Sequence, residues 1–241
     1  MFMFVSGEGG TGKSRLIADV AENTRLIFGK TKGLFGSVLI MAPTATAASG
    51  ISGFTWQSVL KKSRYKNKGK SIKKLQTIGN NLKGVKLIIT DEISMVSYES
   101  LYDISETIKA ALIAASDEND ADTINLIKQR PFGGIHILMT GDLYQLKPIT
   151  GTAIFNNFES DKVATVRGRA IWHSMTDYYE LTEACRYLDG NNSILAAFLS
   201  SARKGVVKEE PLKEINARYC MSTSKAITKT HEKAIWMANT K

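Results

Sequence analysis

Residues 5–14 read VSGEGGTGKS, the end of an apolar run that passes into a glycine-rich turn and then into lysine and serine. From Gly7 to Ser14 the spacing is G-x-x-x-x-G-K-S. No other stretch restricts the fold so strongly. Glycines at these intervals let the backbone curl until its N–H groups point inward, where they can cradle phosphate oxygens. Such a loop works only between a buried strand and a helix whose N-terminus adds favourable partial charge. The apolar residues 1–5 supply the strand, and 14–28 carry the helix pattern. Gly7, Gly9, Gly10, Thr11, Gly12, Lys13, Ser14 and Arg15 are therefore expected around a nucleotide's phosphates. Lys13 would reach the β- and γ-phosphates, and the Ser14 hydroxyl would ligate Mg²⁺.

Short apolar runs recur at 1–5, 37–41, 85–90, 135–140 and 178–181. Amphipathic stretches separate them; Leu101, Ile104, Ile108 and Leu112 stripe one helical face, as do Ile194, Phe198 and Ala202. Apolar strands joined by helices predict a parallel sheet covered on both faces. Ligands of such sheets bind beyond the carboxyl ends of the strands. One run ends in LIITDEISMVS, which sets Asp91 and Glu92 directly after a buried strand. Two carboxylates beside a core call for a cation. Asp91 is assigned to the metal and Glu92 to polarising the attacking water.

The chain has 32 Lys+Arg against 23 Asp+Glu, a formal net charge of +9, which favours a polyanionic partner. The excess is local. Residues 58–90 hold ten Lys/Arg and no acid, and 91–122 hold nine acids and one lysine. The stretch KKSRYKNKGKSIKKLQ reads as an inserted loop or small subdomain over 59–86, and SDENDAD at 116–122 as an exposed loop. Cys185 and Cys220, with His136, His173 and His231, have no metal-ligand spacing, so neither a structural zinc nor a disulfide framework is expected. No apolar run reaches the roughly 18 residues of a spanning helix. Residues 1–5 are too short for a signal peptide.

Three further stretches, with the glycine loop and Asp-Glu, define a pattern. They are APTATAASGISGFTWQS at 42–58, PFGGIHILMTGDLYQLKPI at 131–149 and ELTEACRY at 180–187. In this order they resemble the motifs of superfamily 1 DNA helicases, most closely the PIF-one (petite integration frequency) family; Helitron-type helicases are similar. The resemblance runs from about residue 5 to 204. It implies a RecA-like P-loop NTPase domain of α/β class, with a mostly parallel sheet flanked by helices and a small basic insertion. It also implies ATP and Mg²⁺ as cofactors, and single-stranded and forked duplex DNA as partners. Thr44, Thr55 and Ser58 match positions on the DNA path. Gln145 matches the glutamine that senses the γ-phosphate, with Asp142 orienting it, and Arg186 matches an arginine directed at that phosphate. Thr44 also suits a helix cap and Arg186 a surface ion pair, each as the lesser reading, whereas Trp56 suits core packing and a base-stacking platform equally.

By the same resemblance, residues 1–204 are the first motor lobe, and 205–241 open a second lobe that is cut short. The basic run 61–86 would contact DNA. An intracellular, membrane-free setting follows: nucleus or mitochondrion in a eukaryote, cytoplasm in a bacterium or virus. The family's work in DNA repair, recombination and telomere maintenance is implied with it. Gln57, Lys147 and Tyr187 depart from the family's usual His, Pro and Gln. Two alternatives stay open: a RecD-like or relaxase-associated helicase lobe, against which PFGG argues, and a non-enzymatic nucleotide- or DNA-binding remnant.

Overall fold

A computed structural model describes residues 1–61, 71–117, 120–156, 160–183, 198–199, 201–203 and 205. The chain divides into two compact units, Met1–Asn192 and Ser193–Lys241. The first carries the sheet. Its strands are β1 (Phe2–Gly7), β2 (Val38–Ala42), β3 (Phe54–Thr55), β4 (Leu87–Thr90), β5 (His136–Gly141) and β6 (Asp177–Leu181). All pair in parallel, in the order β3-β2-β4-β5-β1-β6. Each of the five apolar runs forms a strand. The sixth strand, β3, is two residues long and too short to leave a pattern in the sequence.

Successive side chains of a strand point to opposite faces, and the two halves of the core follow that alternation. Val5, Val38, Ile40, Leu87, Ile89 and Leu138 meet Ile17 and Ala21 of α1 (Lys13–Phe28). Phe4, Leu39, Met41, Ile88, Ile137 and Met139 face the other way. There they meet α3 (Trp56–Val59), α4 (Ile72–Leu82) and α5 (Tyr98–Ala114), while Ile171 and Trp172 of α7 (Val163–His173) pack against the same cluster. The stripe expected on α5 is buried at Leu101, Ile104 and Ile108, with Leu112 packed at its margin. Gly168 brings α7 against α5, because a methyl there would strike the Tyr98 carbonyl. Among the described residues no helix is long and apolar enough to cross a membrane.

Two stretches read from the sequence as loop or insertion contain helix. Residues 72–82, in the basic stretch read as an insertion, form α4; its Ile78 and Leu82 are fully buried, while Lys73 is exposed and Lys74 half-buried. Lysine-rich sequence hid the period because only one narrow stripe of α4 meets the core. The rest of that run, 62–70, lies outside the described residues. In the acidic stretch, Asp120 accepts a hydrogen bond from the Thr123 N–H at 3.0 Å and caps α6 (Ala121–Gln129).

Candidate functional site

The carboxyl ends of β1, β4 and β5, three adjacent strands, deliver the site. After β1 the backbone turns through Gly10 (φ 90°) and Gly12 (φ 94°), a left-handed conformation that glycine adopts freely. The Lys13 ammonium donates to the Gly7 carbonyl at 2.7 Å and the Glu8 carbonyl at 3.0 Å, so it sits within the turn. Thr11 donates its hydroxyl to the Glu8 carbonyl at 2.8 Å and is buried. Helix α1 starts at Lys13 with no acidic residue in its first turn, so nothing opposes its positive end.

A cleft of about 580 Å³ opens over this turn. Gly9, Gly10, Gly12, Lys13, Ser14 and Arg15 line one side, and Asp91, Glu92 and Gln145 the other. Gly7 and Thr11 shape the loop from beneath and are not among the lining residues. Arg15 is spread over the surface, paired with Asp19 at 2.9 Å. The volume, the inward cation and the glycine backbone fit a nucleoside triphosphate. The donor set fits Mg²⁺ as well. Ser14 and Asp91 share the cleft, and Mg²⁺ takes few protein ligands beside phosphate oxygens and water. Among the described residues no three His, Cys, Asp or Glu converge to form an all-protein metal cage.

Asp91 is buried; its Oδ1 accepts from the Thr140 hydroxyl at 2.6 Å and from the Glu92 N–H at 2.9 Å. Glu92 is left-handed (φ 52°, ψ 46°), rare outside glycine. Burial pushes the Glu92 carboxyl above the usual range, and repulsion from Asp91 and Asp142 adds to it while Lys13 opposes. That is the direction a proton acceptor for water needs at neutral pH.

At the end of β5, Asp142 is buried and organises the next turn. It accepts from the Tyr144 N–H at 3.0 Å and from the Gln145 side-chain amide at 3.3 Å. A second cleft of about 250 Å³ adjoins the first, lined by Thr44, Thr46, Ala47, Glu92, Met95, Gln145 and Leu146. Glu92 and Gln145 are thus common to both walls.

The residues expected on the DNA path divide. Thr44 lines the second cleft and also caps α2 (Ala45–Gly50), accepting from the Ala47 N–H at 3.2 Å. Thr55 and Ser58 lie at the start of α3, bonded to each other, and do not line that cleft. Arg186 lies outside the described residues. PFGG is a packing element: Phe132 is buried, edge-on to Phe2, and its N–H reaches the Ser105 hydroxyl at 3.0 Å. Sequence reasoning missed Thr140, Met95 and Leu146. Met95 and Leu146 stand inside the quoted DEISM and GDLYQL stretches, and Thr140 shows only as a hydroxyl near the end of a largely aliphatic strand.

A glycine loop on β1, an acidic pair on β4 and a parallel sheet with helices on both faces define a P-loop NTPase of RecA-like architecture. The chain belongs to the PIF1-like helicase family, whose model matches residues 1–200. It is 31% identical over 166 residues to the ATP-dependent DNA helicase PIF1 of Candida albicans, covering 67% of this chain and 16% of that protein. With the Saccharomyces cerevisiae ATP-dependent DNA helicase RRM3 it shares 33% identity over 153 residues, 61% of this chain and 18% of the relative. The crystal structure of Candida albicans Pif1 superposes with a TM-score of 0.62 at 25% identity, over 90% of this chain and 43% of that one. A Bacteroides Pif1 structure bound to ssDNA shares the fold (TM-score 0.54, 24% identity, 92% and 48% covered). The chain spans under a fifth of the length of these curated relatives.

Proposed function

We propose that this chain forms the first motor lobe of an ATP-dependent DNA helicase, which couples ATP hydrolysis to movement on single-stranded DNA and to opening of forked duplexes. The observation that carries the reading is the shared wall: Glu92 and Gln145 border both the phosphate cleft and the cleft at Thr44. A strand lying on Thr44 would touch the same two side chains that meet the γ-phosphate. DNA occupancy and hydrolysis then act on one another without a long relay.

Lys13 neutralises charge on the β- and γ-phosphates, and Ser14 and Asp91 hold Mg²⁺. When bound, the metal spreads the charge of the transferring phosphoryl group. Glu92 takes the proton of the attacking water, and Gln145, held by Asp142, reports whether the γ-phosphate is present. By resemblance, Arg186 contributes a second positive charge. Thr55, Ser58 and the basic run 61–86 extend the DNA path, and the net charge of +9 supports a polyanionic partner. Residues 205–241 begin the second lobe in this reading. A protein that works on DNA in this way acts inside the cell, wherever its DNA is kept.

The test is ATP turnover by the chain with and without single-stranded DNA. DNA-stimulated turnover that disappears in Glu92→Gln is the expected result. ATP affinity that single-stranded DNA leaves unchanged, with no turnover under either condition, would refute the coupling and leave a binding module.

A further inference from the structure

We propose that Thr140 is a positioning residue for the hydrolytic centre: its hydroxyl fixes the Asp91 carboxylate and, through that carboxylate, the backbone of Glu92. The inference rests on the functional reading above and deepens it. Thr140 is fully buried near the end of β5, the strand between β4 and β1. It lines neither cleft, so it acts through other groups. Its hydroxyl donates to Asp91 Oδ1 at 2.6 Å, within the short range of bonds to an ionised acceptor. The same oxygen accepts the Glu92 N–H at 2.9 Å. One carboxylate oxygen is therefore engaged by two donors. Oδ2 takes part in neither bond and is the oxygen left to face a metal.

The next residue of β5 reinforces the arrangement. A Cβ at Gly141 would lie 2.9 Å from the Ile93 nitrogen, so the turn after Asp91 rests directly on the β5 backbone. Glu92 holds its left-handed conformation (φ 52°) between these two supports. Strand β5 thus templates the acidic turn of β4 through one hydroxyl and one missing side chain. The hydroxyl specifies the orientation of the carboxylate, because a close approach at Gly141 cannot rotate Asp91 about its own side-chain bonds.

Valine has the shape of threonine without the donor, so Thr140→Val isolates the hydroxyl, and Thr140→Ser restores it. The readout is affinity of the full chain for a non-hydrolysable ATP analogue by calorimetry, measured in excess EDTA and across a Mg²⁺ titration. Loss of an outer-shell partner typically weakens metal affinity by about 10–100-fold. Thr140→Val should raise the Mg²⁺ concentration at half-effect by about tenfold or more and leave metal-free affinity unchanged. Thr140→Ser should return to within roughly threefold of the parent. If Thr140→Val fails to fold, Thr140→Ala compared with Thr140→Ser makes the same measurement. Equal Mg²⁺ dependence in Thr140→Val and parent would overturn this inference alone, as would equal impairment of Val and Ser. A parent that binds no Mg²⁺–analogue complex would overturn the functional reading and this inference with it.

Discussion

Glu99 ties α5 to Thr152 and Thr165, and its charge should stabilise the fold in a defined pH window. It stands in the first turn of α5, where its Oε1 accepts the hydroxyls of Thr165 at 2.7 Å and Thr152 at 3.1 Å. Its Oε2 accepts the Thr152 N–H at 2.9 Å. Burial alone would raise the carboxyl. Bonds from Thr165, Thr152 and Ser97 outweigh it and hold the group at about 2, down from the ordinary 4.5. A depressed folded-state value means stability that is complete above the unfolded value and lost as pH falls through the folded one. The window therefore runs from about 5 down to 2. Undiscounted, the shift corresponds to roughly 3 kcal/mol; partial exposure and solvent screening reduce this to about 1–2 kcal/mol. Glu99→Gln keeps the shape and removes the charge. At pH 7 it should lower stability by that amount, about 2–8 °C in Tm for a unit of this size. Urea unfolding of parent and variant from about pH 7 to 2.5 measures the difference. The gap should narrow steadily below about pH 5. A gap that stays constant to about pH 3 would refute the linkage and leave only lost packing or hydrogen-bond geometry.

Three further outcomes concern the site. Lys13→Ala should weaken Mg-ATP binding by tenfold or more, as about 1.4 kcal/mol would do, with Tm unchanged; unaltered affinity by calorimetry would remove Lys13 from the phosphates. Glu92→Gln should retain ATP binding and lose about 10²–10⁴ in turnover, which single-turnover kinetics would reveal; parental rates would mean another group activates water. Neutralising four lysines within 61–74 should flatten the salt dependence of single-stranded DNA binding, by roughly 0.7 in log–log slope for each phosphate no longer neutralised. An unchanged slope would make the run a solvated surface only.

The parallel sheet was legible because its strands are buried on both faces and so read as unbroken apolar runs, as at 85–90 and 135–140. Helix α5 was legible because its stripe at Leu101, Ile104 and Ile108 meets the core over its whole length. Helix α4 was not. It buries Ile78, Gly79 and Leu82 at one end and exposes Lys73 at the other, so charge hides its period. Strand β3 pairs only Phe54 and Thr55 with Met41 and Ala42, a register that two residues cannot announce.

The candidate site divides along a different line. Lys13 and Asp91 line the phosphate cleft where residue type and position after a strand led one to expect them, and Gln145, expected from the family resemblance, lines it too. Groups that orient them are not recoverable in this way, because orientation depends on which strands become neighbours. Thr140 and Asp91 are 49 residues apart and meet only because β5 lies beside β4. Glu99 and Thr165 are 66 apart and meet only because α7 packs on α5. The same dependence explains why Glu92 can hold a left-handed backbone that no local preference favours. Asp91 takes its N–H, Gly141 admits the Ile93 backbone, and Thr140 fixes Asp91 in turn. A left-handed turn is stable here because supports from a neighbouring strand over-determine it. Substitutions on β5 that touch no ligand should therefore disturb metal binding more than many substitutions nearer the cleft mouth, such as at the exposed Arg15.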